Sequence, residues 1–185
     1  MSVSKDKIKR KTESESITFR LEKSILDELR QEATQKMESI NTLVNQIIKS
    51  YMQWHKPAKK AGLASFSKVL MTDLINSLTD EQIIQTTQKF CNNNLLDINQ
   101  MLRSENNIAS FMDSLCSWLE ASGYHYRLDS FGDFNIYVIQ FDMGRKWSLY
   151  FKTQMQFVFE HYNLKNTEVE MTNNTVVLKF KKIDV

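Results

Sequence analysis

Three hydrogen-bonding side chains, Ser16, Thr18 and Arg20, alternate with three apolar ones, Ile17, Phe19 and Leu21. A period of two predicts a strand over 16–21, with the polar residues on one face and the apolar residues on the other. Hydroxyl, hydroxyl and guanidinium in a row form a surface that can bond to base edges, and an Arg–guanine pair is worth about 1–3 kcal/mol of discrimination. A paired two-stranded ribbon carrying such a face fits the DNA major groove. Just ahead of it stand Lys5, Lys7, Lys9, Arg10 and Lys11, cations of the kind that contact phosphates.

Charge along the chain is uneven in the same sense. Residues 1–60 hold 13 Lys and Arg against 8 Asp and Glu, whereas the remainder holds 11 against 14. The basic half is the one that carries the strand, and the acidic balance of the rest disfavours direct DNA contact there.

The elements that must hold this strand follow it directly. Ser24 is a plausible N-cap for a helix to about Lys36, with Asp27 and Glu28 in its first turn, where the helix dipole favours anions. Leu26, Leu29, Ala33 and Met37 recur at helical spacing. Ser39 reads as the N-cap of a second helix whose apolar face is Leu43, Val44, Ile47, Ile48 and Tyr51. Both helices are too short to bury those faces alone, so the segment reads as half of a symmetric pair.

The stretches ITFRLEKSILDELRQEA and ESINTLVNQIIKSY resemble the ribbon-helix-helix DNA-binding family, the class that includes Arc, MetJ and CopG. The resemblance implies an obligate homodimer whose antiparallel ribbon enters the major groove of double-stranded DNA. It places the base-reading side chains at Ser16, Thr18 and Arg20, and the phosphate clamp at Ser39 with Ile40 and Asn41. Lys9, Arg10 and Lys11 would add phosphate contacts. One departure is the turn between the helices, where the family often has glycine and this chain has Met37-Glu38. A left-handed residue costs more without glycine, so a different turn shape is expected.

Beyond the second helix, His55-Lys56-Pro57 should end or bend it, because the residue before proline disfavours helical backbone. The predicted organisation is a basic arm (1–13), the DNA-binding and dimerisation segment (14–54), a linker (55–66) and a second domain (67–185). In that domain Ser65 or Ser67 begins a helix with Val69, Leu70, Leu74 and Ile75. Thr79-Asp80-Glu81-Gln82 is a capping box for another through about Phe90. Helices over 95–102 and 108–121 follow.

Gly123 then ends the helical run. A hairpin of 124–129 with 134–141, a helix from about Arg145 to Tyr162, and strands 167–171 and 175–181 complete a ββαββ order. The predicted fold class is α+β: a ribbon-helix-helix, then several helices and ββαββ. The tail NTLVNQIIKSYMQW, the following KKAGLASFSK and the segment DMGRKWS resemble uncharacterised prokaryotic proteins that join a ribbon-helix-helix to an α+β domain. Gly144, Arg145 and Lys146 could bind an anion, but a plain strand-to-helix turn with Trp147 in the core is the preferred reading.

Catalytic chemistry is not expected. His55, His125 and His161 are scattered, and neither Cys91 nor Cys116 stands at a metal-ligand spacing from them. No enzyme activity, metal or cofactor is predicted. The chain has no apolar run near the roughly 20 residues of a membrane span. Its charged first residues lack a signal peptide's apolar core, and its two thiols form no disulfide framework. A cytoplasmic protein is expected. The functional expectation is a homodimeric DNA-binding transcriptional regulator. The alternative is an antitoxin that binds a partner protein and its own operator.

Overall fold

Leu26, Leu29 and Ala33 drive the first helix, α1 (Lys23–Gln35), onto its apolar side, and Ala33 is buried. The protein is described over residues 15–182 by a computed structural model, which is mixed α+β with one four-stranded antiparallel sheet. Its packing divides the chain into two units, meeting between Asn45 and Gln46 inside the second helix, α2 (Ile40–Ser50). Residues 56–60 of the predicted linker are helical.

In the first unit, α1 starts two residues earlier than predicted. Glu22 holds the N-cap position without a side-chain cap bond, so Ser24 lies inside the helix rather than capping it. The turn after α1 is left-handed despite its sequence. Met37 has φ 54°, its N–H donates to Thr34 O at 3.1 Å, and the Glu38 N–H donates to Ala33 O at 2.9 Å. These two bonds satisfy carbonyls that the helix end leaves open. The different turn shape expected for lack of glycine is therefore not adopted.

The second unit begins within α2. That helix runs into a π-helical turn, Tyr51–His55, and then α3 (Lys56–Lys60). The helical path passes through Pro57 instead of ending there. A proline has no N–H and crowds the carbonyl four residues back, here Gln53 O. The π turn rewires the backbone, with the Lys56 N–H donating to Tyr51 O. The Arg103 guanidinium donates to Gln53 O at 2.8 Å, and also to Asp113 O at 3.3 Å and Ser117 Oγ at 2.7 Å.

After α4 (Lys68–Asn76), the Thr79–Gln82 capping box forms as predicted. Thr79 Oγ1 accepts the Gln82 N–H at 3.3 Å, and Gln82 Oε1 accepts the Thr79 N–H at 2.8 Å. It opens α5 (Asp80–Phe90), which continues through a second π turn, Cys91–Leu95, into α6 (Leu96–Leu102). Asn107 caps α7 (Ile108–Ala121), its Oδ1 accepting the Ser110 N–H at 2.8 Å.

The sheet follows: β1 (His125–Phe131), β2 (Phe134–Gln140), then α8 (Gly144–His161), β3 (Glu168–Met171) and β4 (Thr175–Lys181). Its order is β1-β2-β4-β3, every neighbour antiparallel. Val176, Leu178 and Phe180 alternate into the core from β4, meeting Tyr137 and Ile139 of β2. Tyr137 and Phe180 stack with ring centres 5.8 Å apart. Helix α8 covers β3 and β4 with Phe151, Met155, Val158 and Phe159, all buried.

Candidate nucleic-acid interface

Ser16, Thr18 and Arg20 are all exposed, and residues 15–22 form neither helix nor strand in the single chain. A strand needs a neighbour to receive its N–H and C=O groups, and among the described residues this segment has none. Within one chain, residues 16–21 therefore have no strand partner among the described residues. Ile17, Phe19 and Leu21, the apolar face of the alternation, are 73%, 53% and 46% exposed. Ile25, Ile47 and Ile48 are also exposed.

Ser39 caps α2 as predicted. Its Oγ accepts the Thr42 N–H at 3.1 Å and lies 2.8 Å from Thr42 Oγ1, while Leu43 N–H donates to Ser39 O. Ile40 is half-buried and Asn41 exposed. The first-turn amides of a helix point outward along its axis, and the dipole there favours an anion. Glu38 is exposed beside them and opposes that field slightly. Lys9, Arg10 and Lys11 lie outside the described residues, so their phosphate role has no structural account.

The segment Gly144-Arg145-Lys146 is occupied by internal bonds. The Gly144 N–H donates to Asn174 Oδ1 at 2.9 Å, Arg145 pairs with Asp80 at 2.8 Å, and Lys146 Nζ donates to Asn76 O and Leu78 O. Trp147 is buried. This is the strand-to-helix turn that the sequence favoured.

Both thiols are muted. Burial pushes Cys91 up to about 11 and raises Cys116, whose upward shift is only partly offset by a hydrogen bond with Tyr126. A thiolate is scarce at neutral pH in either place. No group of three or more His, Cys, Asp or Glu side chains among the described residues could hold a metal. No described helix is long and apolar enough to cross a membrane.

Sequence reasoning passed over one feature of the second unit, a cavity of about 200 Å³ between α6, α7, α8 and the two π turns. Asn99, 2% exposed, is one of its polar lining residues, with Ser114 and Gln154. The signal was present in the sequence, since Asn99 interrupts the apolar series Leu95, Ile98 and Leu102 on one helix face. Periodicity alone does not distinguish such a residue from an ordinary surface asparagine. Comparison with known proteins returns no matching family model, no matching curated protein and no matching solved structure.

Proposed function

We propose that this protein is a homodimeric, sequence-specific DNA-binding transcriptional regulator. The observation that carries the reading is the first unit's segment 16–21, whose apolar residues are exposed in the single chain and whose alternate positions are Ser16, Thr18 and Arg20. Pairing with the same segment of a second copy would cover Ile17, Phe19 and Leu21. It would also supply the missing ladder bonds and present two sets of polar side chains on one ribbon. Ser39-capped α2 would then face a phosphate with its free amides, and the basic arm would add salt-dependent attraction.

The alternative of an antitoxin rests on a tail that folds only on its partner. Support for it is weakened by the second unit's own core, in which Leu119, Ile139, Met155 and Leu178 are fully buried. The direct test is in vitro selection on random duplex DNA, followed by titration of the enriched site at two salt concentrations. A short palindrome is expected, with binding that survives the higher salt. Arg20→Ala should lose the sequence preference, a change of roughly tenfold or more between sites, while remaining dimeric. Salt-sensitive binding with no enriched sequence would reduce the ribbon to a dimerisation device.

A further inference from the structure

We infer that the cavity in the second unit binds a small, neutral aromatic molecule bearing one hydrogen-bond donor and one acceptor. The walls set the ring. Trp54, Trp118, Trp147, Tyr150 and Phe151 line the space, and its lining contains no Asp, Glu, Lys, Arg or His. An ionised ligand would enter without a counter-charge, which costs far more than a neutral one. Burial lifts the Tyr150 phenol to about 12, so this wall stays neutral throughout the physiological range.

Size sets the next limit. An apolar protein cavity of ~150 Å³ accepts benzene, so about 200 Å³ admits a ring with one or two substituents.

Two orphaned polar atoms fix the rest. Asn99 Oδ1 and Trp147 Nε1 are buried without a hydrogen-bond partner among the described residues. The orientation of the amide follows from its neighbour: Ser110 Oγ donates to Glu105 O at 2.6 Å, so it can only accept from Asn99 Nδ2, 3.5 Å away. Asn99 therefore offers an acceptor and Trp147 a donor, both from side chains that line the cavity. Buried polar groups left unpaired are costly and rare. Each atom presents less than 1 Å² of open surface, so a bound molecule with a complementary donor and acceptor would satisfy both by turning these side chains toward it.

The helix geometry is consistent with a built site. Each π turn contributes a wall residue, Trp54 from Tyr51–His55 and Leu95 from Cys91–Leu95. Single π turns within α-helices occur often at functional positions. Nothing in this inference depends on DNA binding, and its failure would leave that reading untouched.

The test is calorimetry and ligand-detected NMR on the full chain with four probes: benzamide, p-cresol, acetophenone and benzoate. Benzamide and p-cresol supply both a donor and an acceptor, acetophenone lacks the donor, and benzoate is charged. Saturable binding of benzamide or p-cresol is expected, with acetophenone about tenfold weaker and benzoate undetectable at 10 mM, roughly a ceiling for fragments of this size. Asn99→Leu should erase the difference between benzamide and acetophenone. Should that variant not fold, Ser114→Met fills the cavity from α7 and should abolish binding while keeping the circular dichroism spectrum. Absence of saturable binding for both benzamide and p-cresol would overturn the site. Equal affinity for acetophenone would also overturn it, because water would then be serving Asn99. So would binding of benzoate, or binding unchanged in Ser114→Met.

Discussion

The two units treat the same kinds of side chain in opposite ways. In the second, Leu119, Ile139, Met155, Val158, Val176 and Leu178 are all at 0% exposure, and the aromatic rings of Trp118, Phe141 and Phe151 interlock. In the first, the buried apolar residues among those described are Ala33 and Leu43, while Ile17 and Phe19 face water. Helix ends repeat the contrast. Four helices close with the same six-to-one bond onto a left-handed residue, and the second unit uses Gly62, Gly123 and Asn163 there, whereas the first uses Met37. Glycine and asparagine enter that region at low cost; methionine does not. The second unit is written to be stable as one chain. The first leaves Ile17, Phe19 and Leu21 exposed in a single chain.

Truncation in the second core should have the largest effect. Phe151→Ala should cost about 3–5 kcal/mol, read from urea melts, and the loss should not depend on protein concentration. Phe19→Ser is its counterpart in the first unit. It should leave the second unit's melt unchanged and weaken self-association by at least about tenfold, since roughly 1.5–3 kcal/mol of burial is lost per large apolar side chain. A concentration-independent melt of the first unit in both proteins would break the contrast.

Arg103→Met should cost about 2 kcal/mol. It removes the donor that holds Gln53 O, Asp113 O and Ser117 Oγ and leaves the π turn before Pro57 unsupported. Hydrogen exchange should then rise first over 51–60. Met37→Gly works in the opposite direction and should stabilise the first unit by up to about 1 kcal/mol, read as a higher melting midpoint. The smallest effect concerns the thiols. Because burial raises both Cys91 and Cys116, iodoacetamide at pH 8 should label them slowly. The rate should increase as pH climbs toward the raised values, and denaturant should remove the delay.

Local chemistry made much of the second unit legible in the sequence. The Thr79–Gln82 box, the limits of α6 and α7, the turn at Gly132-Asp133 and the β3–β4 strands all depend on neighbours within a few residues. Ser39 was legible for the same reason. Pro57 was misjudged because the group that rescues Gln53 O lies 50 residues away on Arg103, and no local pattern carries that information. Met37 shows the reverse case, where the two helix-closing bonds outweigh the residue's own preference. At the candidate interface the alternation of 16–21 was plain, and the short helices after it led to the expectation of a second copy. A period of two fixes which residues share a face but does not say whether the neighbouring strand is in the same chain. Asn99 needed α7 and α8 in place before its isolation could be seen.

The central claim is that segment 16–21 is completed by a second copy of itself. Amide hydrogen exchange of the full chain, measured alongside sedimentation velocity across a concentration series, addresses it most directly. Protection is expected to appear at alternate amides within 16–21 as the sedimenting mass rises from 21.8 kDa to twice that value. A chain that stays at the monomer mass at the highest concentration, with these amides exchanging as freely as an unpaired segment, would contradict it.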